Sequence, residues 1–149
     1  MSSAAPSPIH DSPTPFVREH IERYVATNGE DGHLWRGLPC LLVTVKGKSS
    51  GKWTRSALIY GRDGDDLVLI ASKGGAPDNP VWLDNMLANP DVWLQVVADQ
   101  FWAIAHVVDE PAERARLWSI MKTIFPQYDE YEAKAAPRVI PVVRLVRRA

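Results

Sequence analysis

The stretch CLLVTVKGKSSGKWTRSALIY, residues 40–60, decides the fold of this chain. Its first six residues and residues 54–60 are two apolar runs rich in β-branched side chains, a composition typical of strands. Residues 46–52 between them contain three lysines, two serines and two glycines, which favours a polar turn. The stretch therefore predicts two neighbouring strands joined by a cationic loop.

Further strands and helices are predicted on the C-terminal side of this pair. Residues 67–72, 92–97, 101–108 and 139–146 have strand composition, residues 80–88 and the segment from Pro111 to Pro126 have helical signals, and residues 128–136 stay unassigned. Asn79 is the expected N-cap of the first of these helices. The order predicts a mainly β fold with helices (α+β), in which six strands form a small antiparallel barrel with helices at its rim.

The N-terminal side predicts an arm followed by one amphipathic helix. Residues 1–15 are rich in serine, proline and alanine and predict a flexible arm, so a single domain is expected over residues 16–149. After Pro15, the apolar residues Phe16, Val17, Ile21 and Tyr24 recur near helical spacing. Two roles stay open for this helix, closing one end of the barrel or making a peripheral contact with a membrane surface.

Composition excludes several classes of function. The 149 residues carry a formal net charge of −1, so no overall field attracts nucleic acid. Cys40 is the only cysteine and the four histidines are scattered, which argues against a disulfide and a metal site. Cys40 itself is expected to be a buried, inert thiol. Neither a transmembrane-length apolar run nor a signal peptide is visible, and a cytoplasmic location is expected.

Two glycine-containing, cationic stretches are candidates for an anion site. One is the loop at residues 46–52 with Arg55 just beyond it, and the other is Ser72-Lys73-Gly74-Gly75 after the third strand. Glycine and serine allow backbone N–H groups to approach an anion, and lysine and arginine supply compensating charge. The spacing is not that of a nucleotide P-loop. Alone, the first stretch could equally be a solvated basic turn; the two together favour an elongated, phosphate-bearing cofactor.

A larger set of short segments shares one family pattern. They are residues 47–51 with Arg55, Leu58 and Tyr60, residues 71–76, Asn79-Pro80 with Trp82 and Asn85, residues 88–90, and Phe125-Pro126 with Tyr128 and Tyr131. In these segments the chain resembles the deazaflavin-dependent nitroreductase family, whose members include quinone reductases that use reduced coenzyme F420. The resemblance runs from about Gly37 to Val146 and suggests an actinobacterial source.

The resemblance implies a fold, a reaction and a set of site residues. The fold is a split β-barrel like that of flavin mononucleotide-binding oxidoreductases, and the reaction is hydride transfer from the reduced deazaflavin to a quinone, a nitroaromatic or an activated alkene. The anionic tail of the coenzyme would meet Lys48, Ser49, Ser50, Lys52 and Arg55. Its ring would be edged by Ala57, Leu58, Ile59, Ile70, Ala71, Ser72 and Lys73, and the pocket would be completed by Val81, Trp82, Asn85 and Tyr128. Tyr128 and Tyr131 would shape the acceptor site, and Ser72 would donate a hydrogen bond near the ring.

The chain departs from the family pattern at three positions. Ala57 stands where members commonly have proline, and Ile59 and Phe125 stand where some active nitroreductases have tyrosine. Apolar surface at these positions should favour hydrophobic acceptors such as quinones over nitro compounds. Two alternatives to a reductase stay open, a non-catalytic carrier of deazaflavin or lipid and a split-barrel protein that uses flavin mononucleotide. The expected partner is a small-molecule acceptor, with the protein a monomer or a homodimer.

Overall fold

A nine-stranded sheet forms the framework of the protein, and four α-helices pack around it in the described residues, 4–148, of the computed structural model. The strands are β1 (Ile9–Asp11), β2 (Leu34–Trp35), β3 (Leu38–Lys46), β4 (Trp53–Ile59), β5 (Gly61–Asp63), β6 (Asp66–Ile70), β7 (Asp91–Val96), β8 (Asp99–Val107) and β9 (Val142–Arg147). The helices are α1 (Pro15–Ala26), α2 (Val81–Ala88), α3 (Pro111–Ile124) and α4 (Tyr128–Ala135), and one 3₁₀ turn spans Lys73–Gly75.

The strand order is β1-β4-β3-β7-β8-β9-β6-β5, with β2 attached to β3. The mixed α+β class predicted from the sequence is confirmed, but the six-stranded, wholly antiparallel barrel is corrected in three respects. Three further short strands are present, β1 pairs with β4 in parallel, and the pairing path ends at β1 and β5 without closing. Strands of two or three residues have no sequence periodicity to detect, and closure depends on pairings between distant segments.

Strand β3 is buried on both faces, which explains its nearly continuous apolar sequence. Leu41, Val43 and Val45 point into the main core with residues from β6, β7 and β9. Leu42 points to the other face, where Ile21 and Tyr24 of α1 cover it and are themselves fully buried. The helix is therefore part of the folded core. None of the helices among residues 4–148 is long and apolar enough to cross a membrane.

The N-terminal arm is partly ordered against the sheet edge. Residues 1–3 of the predicted flexible arm lie outside the described residues, whereas Ile9–Asp11 forms β1 beside β4. The carboxylate Oδ1 of Asp11 accepts a hydrogen bond from Arg55 Nε at 2.6 Å, and both side chains are largely buried. A parallel pairing and a buried ion pair thus tie part of this arm to β4.

Two helix starts show how local sequence and tertiary contacts compete. Glu110 caps α3, since its side chain accepts hydrogen bonds from Ala112 N and Glu113 N. The predicted cap of α2 is wrong: Pro80 is the N-cap, and the Asn79 side chain makes no capping bond. Asn79 Oδ1 accepts instead from the Arg138 guanidinium at 2.8 Å. A distant arginine has replaced the local backbone as its partner.

Helix α3 is held to the sheet by an ion-pair network. Arg116 on α3 and Arg144 on β9 both donate to the carboxylate of Asp63 on β5, at 2.7 and 2.9 Å. The hydrogen bonds from Arg116, and then those from Arg144, hold the pKa of Asp63 well below its usual range. The network sets the position of α3 and so of Phe125, which ends that helix.

Candidate functional site

A cavity of about 250 Å³ opens between α1, β4, α4 and the segment that follows β6. Its walls are formed by Phe16, Val17 and His20 of α1, Trp35 of β2, Cys40 of β3, Ala57, Leu58 and Ile59 of β4, Ile70 of β6, Ser72 and Gly74 of the bend, and Phe125, Tyr128 and Tyr131 at the C-terminal end. The lining is mainly apolar with a few polar groups, which is typical of a small-molecule site.

Three aromatic rings form one wall of the cavity. The ring centroid of Phe125 lies 5.0 Å from that of Tyr128 in an edge-to-face arrangement, and the Tyr131 centroid is 6.4 Å from that of Tyr128. Tyr128 is 4% exposed, and this burial raises the pKa of its phenol far above the ordinary value. The hydroxyl therefore keeps its proton at neutral pH and can act as a hydrogen-bond donor.

The structure brings together only part of the set of residues that the sequence predicted. Those that line the cavity are Ala57, Leu58, Ile59, Ile70, Ser72, Tyr128 and Tyr131. Ala71 is fully buried behind the wall, Val81 is exposed, and Trp82 packs against the main core. Lys73 turns away to form an ion pair with Asp78 at 3.0 Å.

The cationic loop of the sequence is a tight turn between β3 and β4. The amides of Gly47, Gly51 and Lys52 are hydrogen-bonded within the turn, to Lys52 O, Gly47 O and Ser50 Oγ. Lys48 N donates to Asn85 Oδ1 at 3.0 Å, which joins the turn to α2. Most backbone donors of the turn are thus already used, so its attraction for an anion comes mainly from the exposed Lys48 and Lys52 side chains.

Arg138 organises the bend after β6, and the sequence analysis did not identify it. Its guanidinium donates to the carbonyls of Ala71, Ser72 and Ala76 at 2.8–3.2 Å, and also to Asn79. The arginine thus holds the segment that carries Ser72 and Gly74 into the cavity wall. Only the fold reveals this role, because Arg138 is more than sixty residues away from Ser72 in sequence.

The cavity residues on α1 and β2 were also missed as site residues. Phe16, His20 and Tyr24 follow one another at intervals of four residues and so share one face of α1. That spacing was the sequence signal that could have placed Phe16 and His20 beside the buried Tyr24. Cys40 is buried, as the sequence predicted, and burial raises its pKa to about 11. Its thiol is therefore mostly protonated at neutral pH.

Comparisons with known proteins place most of the chain beside one family. A family model described as F420H(2)-dependent quinone reductase matches residues 16–147. An F420H(2)-dependent quinone reductase of Mycobacterium tuberculosis is 38% identical over 136 residues, which cover 89% of this chain and 91% of the relative.

Two solved structures are similar to the chain over most of its length. One is described as an F420-H2 dependent reductase (FDR-A), with 32% identity, a TM-score of 0.66, and coverage of 72% of this chain and 93% of the other. A second, described as a domain-swapped dimer, is 34% identical with a TM-score of 0.69 and covers 90% of this chain and 99% of its own.

Proposed function

The chain belongs to the F420H(2)-dependent quinone reductase family, and we propose that its cavity binds the deazaflavin ring of reduced coenzyme F420 together with a quinone acceptor. The protein is an F420-dependent oxidoreductase. The observation that carries the proposal is the cavity itself, which is lined by the aromatic rings of Phe125, Tyr128 and Tyr131 and by residues 57–59 of β4. Nitroaromatics and activated alkenes are further acceptors that the same site would admit.

The residues of the cavity fit a planar heterocycle. A methyl group placed on Gly74 would meet no protein atom within 4 Å, so this part of the wall faces open space. Ala57, Leu58, Ile59, Ile70 and Ser72 would hold the ring from the side of the sheet. When bound, the coenzyme supplies the hydride, while the protein orients it and excludes water.

The side chains also favour particular acceptors. Ile59 and Phe125 present apolar surface to the cavity, which suits a quinone ring better than a nitro group. The protonated Tyr128 hydroxyl has no partner among residues 4–148 and could donate a hydrogen bond to an acceptor oxygen as negative charge develops there. Tyr131 would shape the same side of the site.

A paired measurement tests the function directly. Calorimetric titration with coenzyme F420 is expected to show saturable binding, and titration with flavin mononucleotide a much weaker signal. Rapid mixing of the reduced coenzyme complex with menadione should then oxidise the coenzyme well above the background rate. A carrier would bind without turnover, and preferred binding of flavin mononucleotide would contradict the proposal.

We place the anionic tail of the coenzyme at the turn between β3 and β4. Because the attraction is largely ionic, Lys52→Ala should weaken coenzyme binding by about fivefold at low salt and by less at high salt. Arg55→Ala should have the smaller effect, since Asp11 already neutralises this guanidinium. As a control, Arg147→Ala removes a positive charge from an exposed position on β9, where Arg147 is paired with Asp99 at 2.9 Å. Equal losses in the Lys52 and Arg147 variants would place the tail elsewhere.

Two further proposals concern association. Phe16 and Leu34 are 66% and 62% exposed, and we propose that these side chains let a cytoplasmic protein touch a membrane peripherally. Co-sedimentation with phospholipid vesicles tests it, and an unchanged result for Phe16→Ser would contradict it.

We also propose a homodimer, supported by the structural neighbour described as a domain-swapped dimer; light scattering measures the mass.

A further inference from the structure

Helix α1 places a histidine in the wall of the cavity. His20 is 9% exposed, lines the cavity, and has its Nε2 2.6 Å from the carbonyl oxygen of Gly32. A carbonyl only accepts hydrogen bonds, so Nε2 must carry a hydrogen and donate it. In the neutral ring the lone pair then lies on Nδ1, which becomes the position that gains and loses a proton.

The orientation of the ring leaves Nδ1 available. A methyl group placed on Gly32 would come within 3.2 Å of His20 Cδ2, so the Nε2–Cδ2 edge faces that loop and Nδ1 lies on the opposite edge. Nδ1 has no hydrogen-bond partner in the described part of the chain. It is not fully buried, so it keeps some solvent-accessible surface. His20 lines the cavity, and Nδ1 is the ring nitrogen left without a protein partner among residues 4–148.

Three other polar side chains of the cavity, Tyr128, Cys40 and Ser72, are poor proton donors at neutral pH. Burial raises the pKa of the Tyr128 phenol, and it raises that of the Cys40 thiol to about 11. The Ser72 hydroxyl is a still weaker acid. Imidazole, in contrast, is the side chain whose ordinary titration lies near neutrality.

We propose that His20 is a catalytic residue of the reductase, the acid that protonates the reduced quinone; this inference rests on the function proposed above. The quinone takes up a hydride from the reduced coenzyme and becomes a hydroquinone monoanion. Its oxygen then takes the proton from Nδ1 of the imidazolium, and the neutral ring regains a proton from solvent. The coenzyme releases its second hydrogen to solvent as a proton, so reduced coenzyme and quinone yield oxidised coenzyme and hydroquinone.

Several titratable and charged groups lie around His20. Tyr24 is its neighbour on α1, with ring centroids 6.4 Å apart. Cys40 faces the cavity from β3, and Tyr128 and Tyr131 face it from α4. Next to Gly32, the carboxylate of Asp31 is paired with the guanidinium of Arg23 at 3.7 Å. Tyr128 and Cys40 keep their protons near neutral pH, because burial raises the pKa of both groups.

The variant His20→Gln separates the two roles of the ring. A glutamine amide can still donate to Gly32 O, but it cannot supply a proton. We expect coenzyme affinity and melting temperature close to wild type, and menadione reduction about 100-fold slower at neutral pH. Wild-type activity should fall as pH rises and the imidazolium is lost, whereas the variant should show a flat profile. Glu22→Gln, exposed on the same helix, should behave like wild type.

An error in the histidine assignment and an error in the proposed function would give different results. If wild-type protein does not oxidise the reduced coenzyme with menadione, the function itself is wrong. If it does, and His20→Gln keeps both the rate and the pH profile, only the histidine assignment is overturned.

A measurement on the wild-type protein guards against a variant that fails to fold. Nitrogen-15 NMR of the imidazole should show a persistent Nε2–H and a titrating Nδ1. Saturation with 1,4-dihydroxynaphthalene, a hydroquinone product analogue, should shift the Nδ1 resonance. An unmoved Nδ1 resonance at saturation would also overturn the assignment.

Discussion

Arg138→Ala is expected to eliminate measurable coenzyme binding and to lower the free energy of unfolding by about 3 kcal/mol. The substitution removes the hydrogen bonds to Ala71 O, Ser72 O, Ala76 O and Asn79 Oδ1. Without them the bend after β6 has no common anchor, and the cavity wall it carries would lose its shape. Urea unfolding measures the stability, and calorimetric titration with coenzyme F420 measures the binding.

Two controls separate geometry from charge at this position. Arg138→Lys keeps the positive charge but lacks the planar fork, so it should restore little of the binding. Methylguanidinium added to the alanine variant should restore part of it. Wild-type affinity in Arg138→Ala would show that the bend is held by other contacts, chiefly the amides of Gly75 and Ala76 that close the 3₁₀ turn.

Gly75→Ala is the second substitution with a large expected effect. Gly75 has φ +82°, and a Cβ there would lie 2.9 Å from the carbonyl oxygen of Tyr131 and 3.0 Å from Lys134 Cβ. The left-handed backbone costs about 1 kcal/mol for alanine, and the clash, which α4 can relieve only by moving, adds about 2 kcal/mol. Because α4 carries Tyr128 and Tyr131, we expect lower stability together with slower quinone reduction.

The neighbouring glycine provides a matched control for Gly75. Gly74 has φ +63°, but a Cβ placed on it would meet no protein atom within 4 Å. In urea unfolding, Gly74→Ala should therefore show only the backbone cost of about 1 kcal/mol. Equal losses for the two variants would mean that the contact between the 3₁₀ turn and α4 contributes nothing to stability.

Local sequence signals predicted the longer elements of this fold and missed those that depend on distant partners. The longer strands and α1, α2 and α3 were predicted within a few residues, because apolar periodicity and the helix-start residues are local signals. The strands β1, β2 and β5 were not, since each has only two or three residues and depends on its partner. Asn79 was predicted to cap α2 because asparagine is a favoured residue just before a helix. In the structure its side chain instead accepts a hydrogen bond from the charged guanidinium of Arg138, in a distant segment.

The candidate site divides in the same way. Family motifs around β4, the bend and the C-terminal tyrosines identified residues that line the cavity, including Ile59, Ser72 and Tyr128. The same motifs gave no indication that Asp11 neutralises Arg55. They also left out His20, which lies in the helix before the resemblance begins.

The sequence by itself therefore determined the fold class and the principal strands, because side-chain composition and spacing encode these locally. Tertiary structure alone decided which groups face the cavity and which are already paired. Those properties arise where segments far apart in the chain meet, as Arg138 meets Ser72 and as α1 meets β3. The burial and hydrogen bonding of the groups around the cavity follow from these contacts between distant segments.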